Sequence, residues 1–164
     1  MYRRIDDFLT DYTYESQATL SVLRALTDEA LAQRVTPNGR TAGRLAWHIA
    51  ICTGMAAEAG LEVRTPPDSD PPASAREIAE RYGEAACAVS GAVKAQWTDA
   101  SLAEEVPMYG EMWTRGKALM AMVKHEAHHR GQLTVLMRQA GLTVPGVYGP
   151  AREEWAAMGM DPQP

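Results

Sequence analysis

Apolar residues recur at three- and four-residue spacing along almost the whole chain, the signature of amphipathic helices. Residues 5–26 read as a first helix, with Ile5, Phe8, Leu9, Tyr12, Ser16, Leu20 and Leu23 on its inner face. A short extra turn is expected within 27–35, and Thr36-Pro37-Asn38-Gly39 reads as a turn. A second helix is predicted over 41–60, capped by Thr41, with Leu45, His48, Ile49, Cys52, Met55, Ala56 and Ala59 facing inward. Four prolines within 65–72 exclude helix there, so this is a surface crossover and the segment expected to be most mobile. Ser74-Ala75-Arg76-Glu77 has the form of a capping box. It opens a third helix that runs to about residue 97 and carries Ile78, Tyr82, Ala85, Val89 and Val93 inward. Extended structure fits only 102–113, as a small hairpin around Tyr109-Gly110. A fourth helix is predicted over 114–140, with Gly141 just past its end, and a short last helix over 151–158.

Four long amphipathic helices with one long central crossover define an all-α fold. The expected architecture is a four-helix bundle with a long crossover loop and a short C-terminal helix. A chain of 164 residues fits a single domain, 1–164, large enough to bury a core. No apolar run approaches the roughly 20 residues that span a bilayer. The stretch Met1-Tyr2-Arg3-Arg4-Ile5-Asp6-Asp7 lacks the apolar region of a signal peptide, so a cytoplasmic location is expected. A net charge of -5 argues against nucleic acid as a partner. Cys52 and Cys87 both fall in predicted helices and read as reduced, buried small hydrophobes.

The chemistry concentrates in the histidines: His48, His125, His128 and His129. His125 and His129 are four apart on the fourth helix, so their side chains point only about 40° apart. They fall in the apolar stripe of Ala118, Leu119, Met122, Leu133, Leu136 and Ala140. His48 shares an inward face with Leu45 and Cys52. Each neutral imidazole has one donor and one acceptor to satisfy, which packing alone does not provide for three inward histidines. A shared metal satisfies one nitrogen of each and leaves open coordination positions. His128 lies about 100° round the helix from His129 and reads as a neighbour rather than a ligand. Glu126 completes a His-Glu-x-x-His match, the zincin signature with glutamate as general base. The context argues against a peptidase: Gly131 breaks the metzincin continuation, and no zincin-type sheet precedes the motif. Glu153 and Glu154, the downstream acids, sit in a short terminal helix.

Two segments carry a family resemblance. They are Arg40-Thr41-Ala42-Gly43-Arg44-Leu45-Ala46-Trp47-His48-Ile49 and His125-x-x-x-His129-Arg130-Gly131-Gln132-Leu133. With Gly141-Leu142-x-x-Pro145-Gly146 and Tyr148-Gly149-Pro150, they resemble the DinB/YfiT-like superfamily of metal-binding four-helix bundles. The resemblance implies His48, His125 and His129 as ligands of a divalent metal: nickel, zinc, iron or manganese. It also implies a homodimer and a thiol-dependent transferase or isomerase using a small thiol of the bacillithiol or mycothiol type. Two other functions fit the same residues. One is a hydrolase using metal-bound water, with Glu126 or His128 as the catalytic base. The other is a non-enzymatic, stress-response metal-binding protein with a closed site, completed by Cys52 one turn after His48.

Smaller features have modest expectations. Gln132, seven residues after His125, is placed to hydrogen-bond a ligand imidazole. Gly131 in mid-helix costs roughly 1 kcal/mol relative to alanine, so a close helix crossing or a dimer contact is expected there. Arg44 and Arg130 flank the histidine faces and read as solvated surface residues, with holding an anionic substrate group as the other role. Trp47, Tyr109, Trp113 and Tyr148 read as core or bundle-end packing, with the mouth of a substrate site as the other role.

Overall fold

In the computed structural model, residues 1–162 are described. The element order is α1 (Ile5–Arg24), α2 (Ala42–Cys52), α3 (Met55–Glu58), α4 (Ala75–Gln96), β1 (Glu105–Met108), β2 (Glu111–Thr114) and α5 (Arg115–Gln139). Short 3-10 segments lie at Glu29–Ala32, Ser101–Ala103 and Arg152–Met158. The architecture is all-α. α1 packs on α4 and α5, and α2 on α5 and α4, which closes the bundle.

Hydroxyl caps start three of the helices. Thr41 Oγ1 accepts the Arg44 N–H at 3.0 Å, Ser74 Oγ the Glu77 N–H at 3.4 Å, and Thr114 Oγ1 the Lys117 N–H at 3.2 Å. Each such cap contributes about 1 kcal/mol. The core is apolar and continuous, with Phe8, Leu23, Ile49, Ile78, Leu119, Met122, Leu133 and Met137 fully enclosed. The hairpin forms as expected, pairing Val106 with Trp113 and Met108 with Glu111. Its two-residue loop has positive φ at both positions, 52° at Tyr109 and 83° at Gly110, matching the twist of the strands.

The second helix is not continuous over 41–60. It stops at Cys52 and resumes as the one-turn α3. Thr53 is buried and turns its Oγ1 back onto the Ala50 carbonyl at 2.7 Å, while Gly54 N–H donates to Ile51 at 2.8 Å. These three-residue bonds tighten the chain and interrupt the α pattern. The final helix is 3-10 rather than α. There Glu154 caps the start by accepting the Ala151 N–H at 2.7 Å, and Glu153 pairs with Arg138. The crossover is tied down at one point, where Arg44 donates to the Ser69 carbonyl at 2.6 Å and to Asp68 at 2.8 Å.

The inner face of α1 also differs from expectation. Glu15 and Thr19 are buried, whereas Ser16 and Leu20 sit at the margin. The cause is Arg130, which is 2% exposed rather than a surface arginine. It donates to the Glu15 carboxylate at 2.7 Å, to the Glu15 carbonyl and Thr19 Oγ1 at 3.0 Å, and to Tyr148 at 2.6 Å. Tyr148 in turn donates to Glu15, so the C-terminal loop is latched to α1 and α5. Cys87 is exposed, not buried, whereas Cys52 is buried; both are free thiols.

Candidate metal centre

α2 and α5 pack against each other, and their facing sides bring three imidazoles together. His48 Nε2 lies 3.3 Å from His125 Nε2, and His129 Nε2 lies 3.1 Å from the same atom. One nitrogen from each ring falls within 4.8 Å of the others. His129 is buried, His48 is half-buried, and His125 reaches the surface. The centre therefore has a closed inner side and an open outer one.

Three converging ring nitrogens are unfavourable unless something sits between them. Neutral imidazoles can share at most one N–H···N hydrogen bond through His125 Nε2, which leaves the remaining lone pairs facing each other, and protonated rings would repel. Burial, assisted by the other histidines and by Arg40 and Arg44, holds His48 down at about 4. Burial likewise depresses His125 and His129, and the neutral form is the one that binds a metal. Nitrogens each about 2.1 Å from one ion stand about 3.0 to 3.4 Å apart for ligand angles of 90° to 109°. The observed separations of 3.1 and 3.3 Å fit that geometry.

Gln132 supports the arrangement. Its Oε1 accepts from His129 Nδ1 at 2.8 Å, and its Nε2 donates to His128 Nε2 at 3.1 Å. A proton on Nδ1 leaves the Nε2 lone pair of His129 facing the other two rings. His128 is exposed and joined to Gln132, not to the cluster.

Glu126 occupies a different surrounding. It is 1% exposed, accepts from Tyr82 at 2.7 Å and Tyr12 at 3.4 Å, and belongs to the bundle core. Burial pushes its carboxyl up to about 8, so it is mainly protonated at neutral pH. Cys52 is buried and its thiol is pushed up to about 12, chiefly by burial. It does not join the three histidines at metal-ligand spacing. Trp47, next to His48, lines a separate cavity of about 600 Å³ beneath the crossover, and its indole N–H has no partner among the described residues. Gly131 has open space around it, so no close helix crossing among the described residues explains it.

Two groups near the centre escape a reading of hydrophobic periodicity. One is Arg40, whose charge acts on all three imidazoles. The other is the Glu15–Arg130–Tyr148 network behind His129. The second did leave a trace: Tyr12, Glu15 and Thr19 continue one helical stripe with polar residues, which signals a buried polar partner.

The bundle presents three convergent imidazoles from two packed helices, a cluster that could hold a metal ion. Comparison with known proteins gives the family: residues 1–163 match the DinB family, and the chain belongs to it. It is 45% identical over 163 residues to the uncharacterized protein YrdA of Bacillus subtilis, covering 98% of each chain. The crystal structure of a DinB-like protein from Bacillus cereus superposes with a TM-score of 0.87 at 42% identity, over 90% of this chain and 100% of that one. A second DinB-like protein, YjoA of Bacillus subtilis, shares the fold with a TM-score of 0.68 at 20% identity, over 86% and 96% of the two chains. No helix among the described residues is long and apolar enough to cross a membrane.

Proposed function

We propose that the protein is a divalent-metal enzyme that transfers a small thiol, with His48, His125 and His129 as its ligands. The convergence of three Nε2 atoms, one of them fixed by Gln132, carries this reading. A bound divalent ion supplies Lewis acidity at the open side, which favours the thiolate over the thiol. The chain holds the three rings neutral by burial, fixes the His129 tautomer through Gln132, and leaves the His125 side accessible to substrate. The thiol proton passes to solvent, the sulfur forms a bond to an electrophilic carbon, and that carbon's leaving group departs with its electron pair. The thiol as co-substrate comes from the resemblance to DinB/YfiT-like transferases, as does a homodimeric state.

The hydrolytic alternative requires a base beside the ion. Glu126 is engaged by two tyrosines, so His128 is the remaining candidate for that role. A closed structural site would need a fourth protein ligand, and Cys52 stands outside the histidine cluster.

Metal analysis of protein purified without added metal tests the ligand assignment. Wild type should retain close to one equivalent, and His48→Ala, His125→Ala and His129→Ala should each lose most of it. Equal metal in wild type and His125→Ala would remove the central claim. Thiol-dependent turnover of a panel of electrophiles by the metal-loaded protein tests the reaction, and sedimentation equilibrium tests the dimer.

A further inference from the structure

Trp47 carries an unmet hydrogen-bond donor. It is 4% exposed, and its indole N–H has no acceptor among the described residues. A buried donor left unpaired is costly, so a folded chain keeps one only for a reason. Trp47 directly precedes His48, but successive side chains on a helix point about 100° apart. The two residues therefore present different faces of α2. His48 faces α5, whereas Trp47 borders the cavity of about 600 Å³ lined by α2, α4 and the crossover.

That cavity has the make-up of a ligand site. Its volume falls within the range of about 300 to 1,000 Å³ usual for small molecules. On the α4 side, Ala85 and Ala88 leave room because their side chains are small. On the crossover side, Pro66, Pro67, Pro71 and Pro72 supply an apolar wall. Proline rings fix the backbone φ, so this wall is stiff. It is also tied to α2: Arg44, one turn before Trp47, donates to Asp68 and to the carbonyl of Ser69, a lining residue. A wall already held in place lowers the cost of binding. The exposed charges at the rim are of both signs, Arg64 and Arg81 against Asp70, Glu77 and Glu84. Arg81 and Glu77 pair with each other at 3.6 Å. The rim thus imposes little preference for charge, and selection falls to the apolar walls and the buried Trp47 donor.

We propose that this cavity binds a small, planar, apolar molecule bearing one carbonyl-type oxygen, which accepts the Trp47 indole N–H. Because that N–H is closed off from solvent, the ring turns slightly toward the ligand, a side-chain adjustment common on binding. The site is distinct from the three histidines and does not depend on the metal reading.

The test uses full-length protein and two probes of nearly the same shape, 1-indanone and indane, of which only the first has an acceptor. Binding is followed by ¹H–¹⁵N NMR, which also reports the four tryptophan indole N–H signals. Wild type should bind 1-indanone about tenfold more tightly than indane, as one hydrogen bond provides. One indole signal should move downfield with 1-indanone and not with indane. Trp47→Phe should lack that signal and lose the tenfold preference while keeping its affinity for indane. Ala88→Trp, which fills the cavity from α4, should weaken both probes at least tenfold. Failure of 1-indanone to bind, binding unmoved by Ala88→Trp, or a preference that survives Trp47→Phe would each overturn the proposal. An unmoved set of indole signals in wild type would do so without recourse to any variant.

Discussion

Gln132 accepts a hydrogen bond from His129 Nδ1 at 2.8 Å, three residues further along the same helix. The contact selects the tautomer whose Nε2 faces the other imidazoles. Replacing Gln132 by leucine removes the acceptor without touching a ligand, and should lower metal affinity about 10- to 100-fold. Glutamate at this position should preserve affinity or raise it. Competition titration against a chelator of known affinity measures both. Unchanged affinity in Gln132→Leu would show that the contact has no influence on the centre.

Acidification should remove the metal later than ordinary histidines would allow. Ligand imidazoles lose a metal when protons compete for them. Burial lowers all three, His48 to about 4, so protons compete weakly near the usual value of about 6.5. Dialysis at stepped pH followed by metal analysis should show retention essentially complete at pH 6.5, with loss below it. Loss centred above pH 6.5 would contradict this.

Glu126 should make the metal-free protein less stable as pH rises. Its folded-state carboxyl is raised by burial from about 4.5 to about 8, so the folded chain holds a proton that the unfolded chain releases. The stabilisation is fully present below pH 4.5 and is lost as pH rises toward 8. The three depressed histidines act oppositely, destabilising the fold only as pH falls below about 6.5. The interval from pH 6.5 to 8 therefore isolates Glu126. Urea unfolding there should weaken with pH in wild type and be flat in Glu126→Gln.

The buried Arg130–Glu15 pair should be far more costly to break than to remove. Their side chains are 3% and 11% exposed. Arg130→Met strands the Glu15 carboxylate and should cost about 3 to 5 kcal/mol. Adding Glu15→Gln to Arg130→Met should recover part of that loss, since the stranded charge is gone. Denaturant unfolding of the two single variants and the double variant gives the coupling directly.

Most of the bundle was legible because its helices obey the 3.6-residue period. The inward stripe of α4 (Ile78, Tyr82, Ala85, Val89 and Val93) is buried throughout. The Tyr109-Gly110 hairpin was legible from its turn residues. Periodicity fails where polar residues occupy the inner face. Glu15, Thr19 and Arg130 have no hydrophobic signature, and their burial depends on one another across α1 and α5. The α2–α3 break was hidden for a related reason: it rests on a buried hydroxyl, Thr53, bonding back to its own helix. The juxtaposition of His48 with His125 and His129 was legible from inward faces and family resemblance together.

His48 and His125 are 77 residues apart in the chain. An ion spanning them would close a loop of that length with a bond that a chelator can cut, a reversible counterpart of a disulfide. Constraint across a span of this size restricts an unfolded chain by about 4 kcal/mol where the link persists. It would act on α2, an 11-residue helix below the length at which isolated helices are stable in water. Metal supply would then set how long α2 stays docked. Hydrogen exchange should register this as slower opening of α2 in the loaded protein, with α4, which contributes no ligand, far less affected.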